Sequence, residues 1–270
     1  MLARKLTAAS GGAGLDPDAI TLIAAMTTPP SAARQRLISD HIVALKDAGI
    51  WALLDIYYVM AAHDEQASRL NWKNPAAFTL EANGVITFTA DRGWQGDGSS
   101  GYLDTGWIPS VNGVNYQLNS ASFGGYSRTD IAEDSQIMGV SKTTTTQAAS
   151  QLLPRRPANV FLSRINQLVL GGTGGASANS LGLFVARRSA SNSHQLYKNG
   201  VLQSTSADTP TALPPFSFYI SAQNVDGAAV SFSTRQLASA FTGAAMSESQ
   251  QLALYNAQQT GYLAAVGAAV

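Results

Sequence analysis

Between Asp91 and Trp107 the chain places Gly93, Gly96, Gly98 and Gly101 close together, between two short apolar–polar alternations. The first is Val85-Ile86-Thr87-Phe88-Thr89 and the second Tyr102-Leu103-Asp104-Thr105. Glycine takes positive φ and tight bends cheaply. Period-two alternation bounded by turn residues is the pattern of strands. The run therefore reads as strand, glycine-rich loop and strand, and it divides the chain. Ahead of it helical spacing dominates, and after it strands and turns follow almost to the C-terminus.

A chain of 270 residues buries about three quarters of its unfolded surface, so its core needs no staple. It has no cysteine, which excludes structural disulfides and thiolate metal sites. Charged residues are 13% of the chain, about half the usual share, and the net charge is zero. Such a surface suits a subunit of a large assembly or a robust extracellular particle. It argues against nucleic-acid binding, which needs a concentrated basic face, since the basic clusters are only Arg155-Arg156 and Arg187-Arg188. No apolar run reaches the ~20 residues of a membrane helix, so no membrane insertion is expected. The N-terminus, Met1-Leu2-Ala3-Arg4-Lys5-Leu6-Thr7, runs into Ser10-Gly11-Gly12 and does not read as a secretory signal. A protein of this kind acting outside a cell is expected to leave by lysis or inside a particle.

Residues 1–15 read as a small-residue arm. Asp16-Pro17 opens a helix as cap and first position, with Ile20, Leu22, Ile23 and Met26 as its stripe. Thr28-Pro29-Pro30 breaks it. A second helix runs from Ser31 to Gly49 with Leu37, Ile38, Ile42 and Leu45 at helical spacing. Ile50 to Ala62 is apolar throughout and reads as a helix start giving way to a strand near 56–60. A short helix follows over 64–70. Strands are expected near 85–90, 101–106, 114–127, 135–141, 159–165, 167–170, 180–187, 194–203, 216–222 and 230–239, with an exposed loop over 142–151. Asn199-Gly200 between alternating residues marks a type I′ hairpin. Ser247 and Gln250 have capping-box spacing for a closing helix. Many short strands with such turns predict a two-sheet sandwich.

Several of these stretches together resemble laminin-G/concanavalin A-like domains. Gly96-Asp97-Gly98-Ser99-Ser100-Gly101-Tyr102-Leu103-Asp104 resembles their opening strand. Leu196-Tyr197-Lys198-Asn199-Gly200-Val201-Leu202 is similar to their "LYxNGxL" hairpin, and Phe218-Tyr219-Ile220-Ser221-Ala222-Gln223-Asn224 to their "YIGAxN" strand. Ser239 to Gln250 looks like their last strand running into an "LSxxE/Q" helix, with Leu254-Tyr255 as its end. The four matches keep the family's order over about residues 85–260. The run Trp94–Trp107 is similar to openings found in tailed-phage virion proteins. The resemblance implies a mainly β, concanavalin A-like jelly-roll sandwich with an N-terminal helical segment and a C-terminal helix. Residues 1–76 would be the arm and helical docking segment, using Ile20, Ile23, Leu37 and Ile42, and 77–270 the sandwich. The implied role is a virion structural component: tail fibre, tail tip, baseplate or head decoration. Its partners would be other virion subunits and, on the outward side, host-surface glycan. A homo-oligomer follows, a trimer by analogy with fibres. A free lectin-like module is the alternative. Ser221 stands where the family favours glycine, and Trp94-Gln95 where Phe-Asp precedes the opening. Both departures weaken the case for the calcium or sugar sites that some members carry.

Candidate chemistry is sparse, and no enzyme is expected. Glycosidases on this fold place paired carboxylates on one strand, yet the only glutamates are Glu65, Glu81, Glu133 and Glu248, and none sits in a Glu-x-Asp-x-x-Glu pattern. Glu133-Asp134 reads as solvated loop charge. Of the three histidines, His41 lies in a helix, His63 near a helix start and His194 in an expected exposed turn. No Gly-x-Ser-x-Gly elbow appears. Gly171-Gly172-Thr173-Gly174-Gly175 lacks the Lys-Ser/Thr and helix of a phosphate loop and reads as a flexible turn. Among Asp91, Asp97 and Asp104, the last two are minor calcium candidates, with turn formation the stronger reading; no other cofactor is expected. Trp94, Trp107, Tyr116 and Tyr126 cluster in the first β half. Aromatics stack on sugars when exposed and fill cores otherwise. Core or subunit interface is the stronger reading for most of them; Trp94, Trp107 and Tyr126 are the candidate ligand contacts, with Trp94 expected to be exposed in its glycine loop.

Overall fold

The computed structural model describes residues 14–168 and 172–270. The expected arm and the expected strand over 167–170 fall mostly outside the described residues. The helical segment forms where its caps allow. Asp16 accepts from the Asp18 amide at 2.9 Å and opens the helix Pro17–Ala24. Ser31 accepts from the Arg34 amide and opens Ala32–Asp47. That second helix stops at Gly49 (φ +67°). The amides of Gly49 and Ile50 there bond back to the carbonyls of Lys46 and Leu45, a Schellman closure. Lys46 in turn reaches Asp16 at 2.7 Å and Asp18 at 2.7 Å, joining the two helices.

The chain then enters a sheet at once. After the turn Trp51–Leu53, the strand Leu54–Val59 pairs antiparallel with Gln236–Gly243, Tyr57 opposite Phe241. The other side of Gln236–Gly243 carries Ala121–Ser127, followed by Gly182–Ala190, Ser193–Lys198 and Val201–Ser206. Gly93–Gly96 pairs with the start of Gln236–Gly243, and Ile86–Thr89 pairs with Gly93–Gly96. We call this the inner sheet. The outer sheet runs Thr173–Ala176, Val160–Gln167, Ala148–Arg156, Met138–Lys142, Tyr219–Ile220, Tyr102–Asp104, Glu81–Asn83. Its pairings are antiparallel except Gln223–Val225, which lies parallel to Met138–Lys142. The two sheets form the expected β-sandwich. The hairpin turns at Asn199 (φ +53°) and Gly200 (φ +75°), both in the left-handed region a type I′ turn needs.

Two cores result. Ile56, Tyr58, Phe123, Phe184, Leu196 and Leu237 of the inner sheet meet Met138, Val140, Leu152, Phe161 and Ile165 of the outer one. On the other face of the inner sheet, Tyr57, Tyr126, Val185 and Phe241 pack against Leu22, Ile38, Ile42 and Leu45 and against Leu254 and Tyr262 of the C-terminal helix. That helix has the expected capping box at Ser247 and Gln250 and passes into a π-helical stretch, Ala257–Tyr262. The boundary expected after residue 76 therefore does not separate two cores: a strand and two helices ahead of it belong to the same packed unit. Of the expected docking residues, Ile42 is fully buried in this chain's own core and Ile23 and Leu37 are half-buried beside it, because the inner sheet has an apolar face to cover. Only Ile20 is exposed, at 53%.

Three further expectations are corrected. Residues 148–151 of the expected loop open the strand Ala148–Arg156, buried through its first seven positions; its polar composition hid it, and Pro154 is tolerated where the register shifts between Leu153 and Arg156. Gly174 and Gly175 lie in the strand Thr173–Ala176 rather than in a flexible turn. Gly93 to Gly96 is itself a strand: a Cβ on Gly93 (φ +103°) would stand 2.0 Å from the Leu237 carbonyl oxygen, so glycine there permits close backbone approach.

Two outcomes test this layering. Ile42→Ala is expected to lose about 2–5 kcal/mol of stability in urea denaturation, and a chain cut to residues 77–270 to give no cooperative unfolding transition, because it exposes one face of the inner sheet. The second outcome concerns pH. Burial lowers His41 to about 4 and His194 to about 3, against 6.5 for an unhindered imidazole. The folded values lie below the unfolded one, so the unfolded state takes up the extra protons. Stability is then unaffected above pH 6.5 and falls below it by about 1.4 kcal/mol per pH unit for each histidine. Urea midpoints at pH 7, 6 and 5 are expected to fall, and His194→Asn to remove about half of that slope.

Candidate functional site

The outer face of the outer sheet is where strand alternation sends polar side chains to solvent. Met138 and Val140 point into the sandwich, so Gly139 and Ser141 point out. Leu152 points in and Gln151 out; Phe161 and Ile165 point in and Arg164 out. The missing side chain at Gly139 leaves a dip. A Cβ there would lie 3.2 Å from Gln136 Cγ and 3.3 Å from Gln223 Cγ, so the two glutamines fold across the strand at this point. Gln136 Nε2 donates to Gln223 Oε1 at 3.3 Å, and Gln223 Nε2 donates to Ser141 Oγ at 2.9 Å. Gln136 is only 3% exposed, and its Oε1 is buried with no hydrogen-bond partner among the described residues.

Around this dip runs a groove of about 210 Å³ lined by Asp134, Gln136, Gln151, Arg156, Arg164 and Gln223, with Leu153, Leu162 and Ser231 at its margins. Arg164 donates through Nη1 to Gln151 Oε1. Arg156 grips Asp134 with two bonds, Nε to Oδ1 at 2.6 Å and Nη2 to Oδ2 at 3.1 Å. That pair holds the Asp134 carboxyl below its ordinary value and raises Arg156. Arg164 goes the other way: burial, then the charge of Arg156, pushes its guanidinium below the usual arginine value. On the same face, Tyr219 is the cross-strand partner of Gly139 and packs at a tilt of 33° against Tyr102, 4.4 Å between ring centroids, with Phe232 6.2 Å from Tyr102. The site thus combines planar amides, guanidinium groups and aromatic rings on one face of the outer sheet, with Gln136, Gln151, Gln223 and Tyr219 largely buried.

A larger cleft, about 480 Å³, lies beside Ser31, Arg34, Arg36, Leu37, Asp40 and Ala265. Its charges satisfy one another or the core: Arg34 binds Asp91 at 2.8 Å and Tyr262 at 3.1 Å, and Arg36 binds Asp40 at 2.9 Å. The smaller groove differs in lying on the outer sheet, beside a buried acceptor that has no partner among the described residues.

The aromatic candidates from the sequence are all core residues. Trp94 is 2% exposed; its Nε1 donates to Ser68 Oγ at 2.8 Å and its ring lies against Phe88. Trp107 packs between Tyr116 and Phe218. Tyr126 faces the helical layer, where its hydroxyl bonds to Gln259 and accepts from the Val270 amide. None has a free ring face, because each fills space next to the inner sheet. Asp97 accepts from the amides of Ser99, Ser100 and Gly101, and the Ser99 hydroxyl and these amides hold it well below the usual carboxylate range. Asp104 instead accepts from the Gly106 amide and stands opposite Tyr219. Both make turns, and among the described residues no group of three or more His, Cys, Asp or Glu could hold a metal ion. Glu133 is not solvated loop charge. Burial raises its carboxyl, but Arg235 at 2.7 Å and the hydroxyls of Ser233 and Thr234 bring it below its ordinary value. His194 lies fully buried in a strand and meets Ser163 Oγ at 2.9 Å. The outward ring that sequence reasoning passed over is Tyr102: in Tyr102-Leu103-Asp104, an inward Leu103 already sends Tyr102 outward.

No protein-family model matches the sequence, and no curated protein does. Solved structures share the fold. A Trypanosoma rangeli sialidase mutant displaying trans-sialidase activity superposes with a TM-score of 0.54 at 14% identity, over 86% of this chain and 40% of the sialidase. The binding domain of botulinum neurotoxin DC, in complex with rat synaptotagmin II, gives 0.53 at 10% identity over 78% of this chain and 52% of its own. A structure of botulinum neurotoxin type C, whose cell entry depends on interaction with two ganglioside molecules, gives 0.55 at 10% identity over 79% and 53%. The chain spans about half of these proteins or less, and what it shares with them is the fold.

Trp94→Ala and Trp107→Ala are expected to cost about 3–5 kcal/mol of stability. In a binding assay corrected for the folded fraction they should leave ligand affinity within about twofold, which unfolding curves and titrations on the same samples would check.

Proposed function

We propose that this sandwich binds carbohydrate in the groove on the outer face of its outer sheet, and that it does so as a subunit of a tailed-phage virion. The observation that carries the binding reading is the groove itself: Gln136, Gln151, Gln223 and Arg164 line it, with the Tyr102–Tyr219 ring pair on the same face. Sugars present hydroxyl groups in fixed directions and apolar ring faces. Planar amides and guanidinium groups answer the first and aromatic rings the second. The fold shared with a sialidase and with one toxin whose cell entry depends on gangliosides supports the same reading, while site chemistry rather than fold has to carry it.

The virion assignment rests on the sequence resemblance over Trp94–Trp107 and on the low-charge surface. In this reading the protein sits in a tail fibre, tail tip, baseplate or head decoration, self-associates, contacts other virion subunits and presents the outer sheet to host glycan. It works without a cofactor and without catalysis. The groove has one carboxylate, Asp134, already bound by Arg156, whereas most glycosidase families use two.

A glycan array probed with the intact protein is expected to show retention on a restricted set of glycans. Tyr102→Ala and Gln151→Ala should each weaken that binding about tenfold, roughly 1.4 kcal/mol, at unchanged thermal midpoint. Absence of binding to any glycan would remove the carbohydrate reading. Cryo-electron microscopy of particles carrying a C-terminal tag should show ordered copies on tail or head, and particles without them would remove the virion reading.

A further inference from the structure

We infer that two copies of this chain join through the free edge of the inner sheet, the strand Ile86–Thr89 running antiparallel to its own copy about a two-fold axis. The virion reading includes self-association; this inference names the surface that makes it and rests on the strand edge, not on the groove. Ile86–Thr89 ends the inner sheet, paired with Gly93–Gly96 on one side and with no strand on the other among the described residues. The free side of such a strand carries backbone N–H and C=O groups that another extended strand can match. Proteins guard these edges with charge, proline, a bulge or a cover, and the other ends of the two sheets show such guards. In Val201–Ser206 the register breaks between Leu202 and Ser204, with Gln203 as the extra residue. Glu81–Asn83 carries a carboxylate. In Thr173–Ala176 the Gly174 carbonyl accepts from Ser204 Oγ at 3.0 Å. By contrast, Val85-Ile86-Thr87-Phe88-Thr89-Ala90 has no charge, proline or glycine, and its ladder to Gly93–Gly96 runs without a register shift.

The side chains of this strand select its own copy as the partner. Ile86 and Phe88 lie on the core side, half-buried against the sandwich core. Thr87 and Thr89 lie on the opposite side and are exposed, with Val85 beside them at 63%. An antiparallel pairing centred on Thr87 sets Ile86 opposite Phe88 of the second copy, Val85 opposite its Thr89, and Thr87 opposite its Thr87. Aromatic with β-branched, and threonine with threonine, are favourable cross-strand pairs. Apolar side chains then meet apolar ones on the core face, and the half-buried Ile86 and Phe88 lose their remaining contact with water. A register shifted by one residue sets Thr87 opposite Phe88 and mixes the two faces, so the pattern prefers one alignment. No charge falls within the paired run, so the two copies meet without repulsion. The contact is isologous and closes as a dimer.

The test is sedimentation equilibrium of the full chain over micromolar concentrations, where a reversible dimer is expected. Thr87→Lys sets two ammonium groups face to face across the axis and is expected to weaken the dimer at least about tenfold, with the far-ultraviolet circular dichroism unchanged. Gln203→Lys, on the opposite edge of the same sheet, is expected to leave it intact. Cross-linking reads the register. The chain has no cysteine, so one introduced thiol reports its own position. Directly opposed residues of an antiparallel pair lie about 4.5–5.5 Å apart between Cα atoms, within reach of a disulfide. Under oxidation Thr87→Cys is therefore expected to give a covalent dimer. Thr89→Cys, opposite Val85 rather than its own copy, is expected to give none. A chain that stays monomeric, a Thr87→Lys dimer as tight as the parent, or equal cross-linking at both positions overturns the inference. Glycan binding and the particle imaging are read separately, so each reading can fail without the other.

Discussion

A sheet that is apolar on both faces organises this molecule. In Leu183-Phe184-Val185-Ala186, alternate side chains enter different cores, Leu183 and Val185 toward the helices and Phe184 and Ala186 toward the outer sheet. Tyr57 and Tyr58 divide the same way. Each buried large side chain contributes about 1.5–3 kcal/mol relative to exposure, so neither face can be left to water. The helical segment and the C-terminal helix are therefore structural cover, and the strand Leu54–Val59 that joins them to the sheet fixes them in place.

The same constraint decides where ligand chemistry can sit. With both faces of the inner sheet closed, the outer sheet alone keeps a face to solvent, and its outward positions are free to be polar. Four strands and two connecting segments supply the groove, since Asp134, Gln151, Arg164 and Gln223 lie far apart in sequence and meet only through pairing. Gly139 is what makes a dip of that meeting: two glutamines lie where a side chain would otherwise stand.

Local signals were legible in the sequence, and non-local ones were not. The Asp16 cap, the Gly49 stop, the Asn199-Gly200 turn and the Ser247–Gln250 box depend on a few adjacent residues, and each forms as read. The strand Ala148–Arg156 escaped because its polar and small residues look like a loop until a neighbouring strand satisfies their backbone. Burial of the aromatics depends on the same long-range packing, which is why Trp94 in a glycine-rich run reads as exposed yet closes a core. The groove escaped for the reason the strand did: Gln136, Gln151 and Arg164 carry no motif, and their proximity is a product of register.

The arginines separate structural burial from a site. Arg188 is fully buried and wrapped: it donates to the carbonyls of Ile165, Ser191 and Asp208 and to Gln167. Arg235 is likewise fully buried, on Glu133 and on the carbonyls of Ile131, Ser135 and Arg155. Both tie loops to strands, and their carbonyl acceptors come from the backbone they fasten. Arg164 differs in position. It lines the groove on the outer sheet and donates to the side-chain amide of Gln151, near Gln136 Oε1, a buried acceptor with no partner among the described residues. Arg188 and Arg235 end mainly on backbone carbonyls, completed by Gln167 and the half-buried Glu133, and so fasten loops to strands, whereas the Arg164 guanidinium stands in the wall of the groove.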